Sequence, residues 1–224
     1  MSAAHGMRSA ESGAAKTLVC FALEEEARAF RKLGAKSAEV AILITGMGRK
    51  NAEQSVREFL AGNSPRQIFT AGFAGGLNPE LKIGDVLFAT DNSGLAASLT
   101  NAGARPVKFF CAPRIATTTA EKSELWRTTG ADAVEMESEF IQAISRARDI
   151  PCATVRVISD PAQDELPLDF NQLANADLSL NYGKLAFALA KSPGKIPALL
   201  RLQKNSQLAA ERLATTLAKV CGVN

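Results

Sequence analysis

The chain has 224 residues, of which 46% are apolar, with 26 Lys and Arg against 23 Asp and Glu. A net charge of +3 is too balanced to argue for nucleic acid or an anionic membrane surface as partner, and at about 150 residues per domain the length allows one or two domains. The one histidine, His5, lies among small and polar residues, which argues against a Ser-His-Asp or Cys-His nucleophile and excludes HExxH and three-histidine zinc sites.

In chain order, residues 1–16 (MSAAHGMRSAESGAAK) have no apolar periodicity and are expected to be a disordered leader. They also lack the apolar centre of a signal peptide. Thr17 to Ala22 is a short apolar run, a buried-strand pattern, and it feeds a helix over Glu24 to Leu33 with Ala27, Phe30 and Leu33 at helical spacing. Val40 to Thr45 is a second strand, broken by Gly46-Met47-Gly48 before a helix from Asn51 to Leu60. Gln67 to Ala71 is a third, expected to close at the glycines 72, 75 and 76; Asp85 to Thr90 and Val107 to Cys111 follow. Ala133 to Met136 leads into a helix with Phe140, Ile141 and Ile144 as its apolar stripe, and Cys152 to Ile158 is the last strand. Helices over Leu178 to Ala190 and Ile196 to Val220 complete the chain, with Pro197 suited to a first turn.

Strands alternating with helices predict an α/β fold with a central, mixed but mostly parallel twisted sheet flanked by helices, three layers in one domain over residues 17–224. Cys20, Cys111, Cys152 and Cys221 are dispersed with no CxxC pair, so free thiols in a reducing compartment are expected. No apolar stretch approaches the roughly 20 residues of a spanning helix. Together these predict a cytoplasmic protein without an integral membrane segment.

Ligands of such sheets bind at the carboxyl ends of strands, where four clusters stand out. Glu24-Glu25-Glu26 suits a helix N-terminus, where acidic residues favour the macrodipole. Gly46-Met47-Gly48 suits a tight turn, since Asn51 occupies the third glycine position of a dinucleotide loop. Three glycines within Gly72 to Gly76 suggest a packed bend or a close approach of backbone to a ligand. Glu137 could simply open a helix, and Asp160 before Pro161 could simply start a turn. Those readings do not explain why Glu26, Glu137 and Asp160 all fall at carboxyl ends of strands in one sheet.

Taken together, FALEEEARAF (21–30), ITGMGRKNA (44–52), FTAGFAGGLNPELKIGDVLFAT (69–90), AVEMESEFIQA (133–143) and VRVISD (155–160) resemble the nucleoside phosphorylase/nucleosidase superfamily. Within it they are similar to the methylthioadenosine/S-adenosylhomocysteine nucleosidase branch. The resemblance implies cleavage of the N-glycosidic bond of a purine (adenine) nucleoside, with Glu26 activating water and Asp160 protonating N7 of the departing base. It implies that Glu137 binds ribose hydroxyls, Met136 packs on the ribose, and Gly72, Phe73, Ala74, Glu135 and Ser159 complete the substrate contacts. No metal or cofactor is implied; the partner is a small-molecule nucleoside, and a homo-oligomer is expected. Breaking a C–N glycosidic bond leaves positive charge on the sugar and negative charge on the base, which carboxylates and an acid can stabilise without an imidazole.

Phe73 stands where related sequences usually carry a small hydroxyl residue, and Thr70 where hexameric phosphorylases usually carry Arg. Both changes favour hydrolysis over phosphorolysis, with a phosphorylase and a non-catalytic nucleoside-binding protein as the alternatives. The segment 91–132 matches poorly, so no base-contacting residue is assigned. DPAQDELPLDF (160–170) and the tail 192–217 resemble a hopanoid-associated phosphorylase-like group, implying an adenosylhopane-type substrate; the leucines of that tail equally fit core stripes.

Overall fold

In the computed structural model, which describes residues 16–34, 37–173, 175 and 182–223, every residue of β1 (Thr17–Phe21) is buried. That is the mark of an interior strand covered on both faces. β1 pairs in parallel with β2 (Val40–Ile44) on one side and β3 (Gln67–Gly76) on the other. β4 (Val86–Ala89) and β5 (Arg105–Pro106) follow, and β6 (Phe109–Cys111) lies parallel to β7 (Ala133–Glu135). β8 (Cys152–Asp160) inserts parallel to β3 and antiparallel to β4, giving the order β2-β1-β3-β8-β4-β5, while β7 runs antiparallel to the end of β3. The expected mixed, mostly parallel sheet is what forms.

Alternation along β1 separates the layers. Val19 and Phe21 face α1 (Glu24–Gly34), α3 (Ser93–Asn101) and α8 (Ile196–Cys221), packing with Phe30, Leu95, Leu99, Leu213 and Leu217. Leu18 and Cys20 face α2 (Arg49–Gly62) and α5 (Ser138–Arg146), packing with Val56, Leu60, Ile141 and Ile144. All four cysteines are free. Among the described residues no helix is long and apolar enough to cross a membrane. The leader expected over 1–16 lies, apart from Lys16, outside the described residues.

Four elements depart from the sequence pattern. β3 does not end at Ala71 but runs to Gly76, because β8 pairs with it from Gly72 to Gly75 and β7 pairs with Gly75 and Gly76 on its other side. Backbone partners on both edges hold glycines in a strand that their propensity disfavours. α3 and α4 (Thr119–Thr129) arise in the segment that shows little periodicity. Their starts are local: Asn92 Oδ1 accepts from Leu95 N–H, and Thr118 with Glu121 forms a capping box. After the short α6 (Phe170–Leu173), the expected helix start at Leu178 lies outside the described residues, and the described helix is α7, Tyr182–Lys191.

The end of β8 is irregular. Ala74 pairs with Ile158, but the next residue, Gly75, pairs with Asp160. Ser159 is therefore an extra residue, and such a bulge re-aims the side chain that follows it.

Candidate active site

Arg156 fixes the centre of the site. It lies in the middle of β8, 1% exposed, between residues that are themselves buried. Its Nη2 donates to Glu135 Oε2 (2.6 Å), Thr70 Oγ1 (3.3 Å) and Glu137 Oε2 (3.4 Å). A guanidinium so far from water requires charged partners, and β7 and the start of α5 supply two of them. Its Nε is the only buried side-chain nitrogen or oxygen without a hydrogen-bond partner among the described residues.

Glu26 approaches from α1. Glu24 and Glu25 are exposed, the solvated acidic first turn expected of a helix N-terminus, whereas Glu26 is buried. Its Oε2 accepts from Leu23 N–H (2.9 Å) and its Oε1 from Phe73 N–H (2.8 Å). Gly72 makes that approach possible, since a Cβ there would lie 2.6 Å from both Glu26 Oε1 and Arg156 Nη1. Burial raises the Glu26 carboxyl above its usual range, against the opposing pull of Arg156 and of the backbone N–H groups.

Glu137 stands just before α5, and its side chain turns away from that helix, its Oε1 accepting from Gly48 N–H (3.0 Å). The Gly46-Met47-Gly48 turn, with φ of +79° at both glycines, thus does more than reverse the chain: it aims an amide at this carboxylate. Burial lifts Glu137 to about 7, opposed by Arg156 and assisted by Glu135 and Glu26. Glu135 behaves differently. Burial pushes it up too, but Arg156 and the donors around it prevail and hold it below the ordinary range. Its Oε2 also accepts from the Glu137 (3.0 Å) and Ser138 (2.8 Å) amides, and its Oε1 from the Ser138 hydroxyl (2.7 Å).

The raised Glu137 carboxyl makes stability depend on pH. A carboxyl whose folded pKa lies above its unfolded value contributes stability that is present at low pH and is lost as pH rises towards the folded value. Between pH 4.5 and 7 this group is expected to cost the fold on the order of 2 kcal/mol. Denaturant unfolding of the wild type and of Glu137→Gln across that range checks it: the variant should have a shallower downward slope.

Asp160 belongs to a second cluster. Its Oδ1 accepts from the Ser159 hydroxyl (2.7 Å) and its Oδ2 from Lys122 Nζ (2.6 Å). Asp160 and Arg156 are four residues apart on β8, about 13 Å of strand. The structure therefore gathers Glu26, Glu135 and Glu137 around Arg156 and sets Asp160 and Ser159 further along the same strand.

Other expected site residues do less. Phe73 lends its amide to Glu26 while its ring packs on the core shared by β1, α1 and α8, and Ala74 is buried with Leu81, Leu87 and Ile158. Glu135, expected to touch substrate, has its oxygens engaged by the protein. Met136 is half-buried. Sequence reasoning missed Arg156, Gly48 and Lys122. A lone charge inside the apolar run CATVRVI was a legible signal for Arg156. Lys122 sits in a polar helical stretch and has no such signal.

A profile of the phosphorylase superfamily matches residues 24–110 and 95–184. The chain belongs to this superfamily. Among curated members of similar sequence, the aminodeoxyfutalosine nucleosidase of Campylobacter jejuni is 24% identical over 183 residues, 66% of this chain and 80% of that one. The 5′-methylthioadenosine/S-adenosylhomocysteine nucleosidase of Glaesserella parasuis is 25% identical over 170 residues, 61% and 74% of the two chains. A superfamily structure from Neisseria meningitidis, a 5′-methylthioadenosine/S-adenosylhomocysteine nucleosidase in complex with methylthio-immucillin-A, superposes with a TM-score of 0.66 at 19% identity, covering 92% of this chain and 98% of that one. The superfamily fold therefore extends over nearly the whole chain.

Proposed function

We propose that the protein is an N-ribosyl hydrolase that cleaves the glycosidic bond of an adenine nucleoside. Glu26 orients and deprotonates the attacking water, Glu137 holds the ribose hydroxyls, and Asp160 protonates the departing purine. Positive charge developing on the sugar is met by the carboxylates around Arg156, and charge developing on the base by the acid at Asp160.

The observation that carries water rather than phosphate as nucleophile is the charge balance at Arg156. One guanidinium faces three buried carboxylates, Glu26, Glu135 and Glu137, so the cluster has no surplus positive charge for a phosphate dianion. A neutral water suits it. The nucleosidases among the relatives support the same reading.

The finer reading is an adenosine bearing an apolar 5′ substituent, of methylthioadenosine, adenosylhomocysteine or adenosylhopane type. It is supported by Ile196 and Leu200, apolar side chains exposed near the start of α8, and by the likeness to a 5′-methylthioadenosine/S-adenosylhomocysteine nucleosidase. The test is adenine release from methylthioadenosine, adenosylhomocysteine, adenosine and adenosylhopane, with and without phosphate. Release without phosphate, fastest with apolar 5′ groups, is expected. Strict dependence on phosphate would make the enzyme a phosphorylase, and no release from any of the four would make it a nucleoside-binding protein.

A further inference from the structure

We propose that Lys122 is the positioning residue of Asp160, clamping one carboxylate oxygen so that the other serves the leaving base. The inference rests on the reading of Asp160 as the base-side acid and deepens it.

Lys122 is fully buried in α4. Its Nζ lies 2.6 Å from Asp160 Oδ2, 2.9 Å from the Pro161 carbonyl and 2.9 Å from the Asp164 carbonyl. An ammonium has three N–H donors and no acceptor, so three acceptors use it completely. The clamp joins the acid to both ends of the turn that follows it. Placing a lysine there is costly, since each desolvated ion loses several kcal/mol of hydration and an apolar side chain would often serve stability as well. Such an arrangement persists more readily where it serves chemistry.

The geometry divides the carboxylate. Oδ2 faces the buried ammonium, and Gly75 leaves the space the pair occupies, since a Cβ there would lie 3.2 Å from Oδ2 and 3.8 Å from Lys122 Cε. Among the described residues, the partner of Oδ1 is the Ser159 hydroxyl, which can rotate. Protonation of the purine therefore runs through Oδ1. The Oδ1–H bond breaks, the N–H bond of the base forms, and the electron pair of the glycosidic bond stays with the base. Lys122 keeps its three protons and stabilises the carboxylate left behind. Burial pushes the Asp160 carboxyl up, and Lys122 and the Ser159 hydroxyl oppose that rise. The other charged groups around Asp160 are Asp164 and Glu165 from the following turn and Arg201 from α8; Glu26, Glu135 and Glu137 belong to the Arg156 cluster.

The test uses the full chain with methylthioadenosine as probe, recording kcat, KM and pH profiles for the wild type, Lys122→Met, Lys122→Gln, Asp160→Asn and the double variant Lys122→Met/Asp160→Asn. Removing the ammonium destabilises the carboxylate, so Asp160 becomes a weaker acid that holds its proton to higher pH. The alkaline limb of kcat should move up by about 1–3 pH units and the plateau should fall roughly 10²-fold, with KM changed less than kcat. The double variant should be no slower than Asp160→Asn alone. Lys122→Gln keeps a polar side chain in the clamp and carries the same expectations should Lys122→Met fail to fold. An active wild type whose alkaline limb stays in place in these variants, or losses that multiply in the double variant, would overturn the inference and leave the proposed function standing. A wild type that cleaves no nucleoside would overturn both.

Discussion

Glu26→Gln is expected to lower kcat by about 10²–10⁴-fold, a loss that raising the pH does not restore. Oε1 and Oε2 each accept a backbone N–H, from Phe73 and Leu23, which holds the carboxylate in one orientation. Those amides leave one face of each oxygen for a water proton, and an amide cannot remove that proton. Glutamine brings a second defect, because its NH2 must oppose one of the two N–H donors. A buried donor without an acceptor costs about 1–3 kcal/mol, so the variant should also unfold at lower denaturant. The two effects separate cleanly. Denaturant midpoints report the clash, and single-turnover rates at saturating substrate report the missing base. A rate within tenfold of the wild type would remove Glu26 from the chemistry.

Arg156→Met is expected to be the most destabilising single change in the site, at about 3–5 kcal/mol. Methionine approximates the volume of the arginine stem but leaves Glu26, Glu135 and Glu137 buried without their shared cation. These carboxyls must then take up protons: Glu26 and Glu137 rise further above their unfolded values, and Glu135 loses the cation that holds it below its own. By linkage, the variant should be most stable near pH 5 and lose stability as pH climbs through the raised values, more steeply than the wild type. Denaturant unfolding at pH 5 and pH 8 measures this directly. Equal losses at both pH values would show that packing, not charge, is what Arg156 contributes.

Much of this architecture is legible in the chain. The apolar runs of β1 and β8 and the stripes of α1, α2 and α5 follow directly from periodicity, and the strand-end carboxylates mark where the sheet concentrates charge. What was not legible depended on partners remote in sequence. β3 continues through its glycines only because β7 and β8 hold both its edges. The glycines at 46 and 48 read as a turn, and only the fold shows that Gly48 reaches Glu137, 89 residues away. Nothing in the sequence marks Lys122, whose partner Asp160 is met only because α4 lies against the end of β8. α4 itself did carry a local signal, the capping box of Thr118 and Glu121, in a segment that family resemblance left blank.

Arg156 and Asp160 stand on one strand, separated by four residues and a single bulge at Ser159. The interval between the two ionic clusters is therefore set by covalent bonds rather than by the docking of separate elements. Repacking the helices can tilt or shift both clusters together but can hardly draw them apart. The surrounding helices and loops are thereby free to diverge while the spacing between the two clusters stays as the strand dictates.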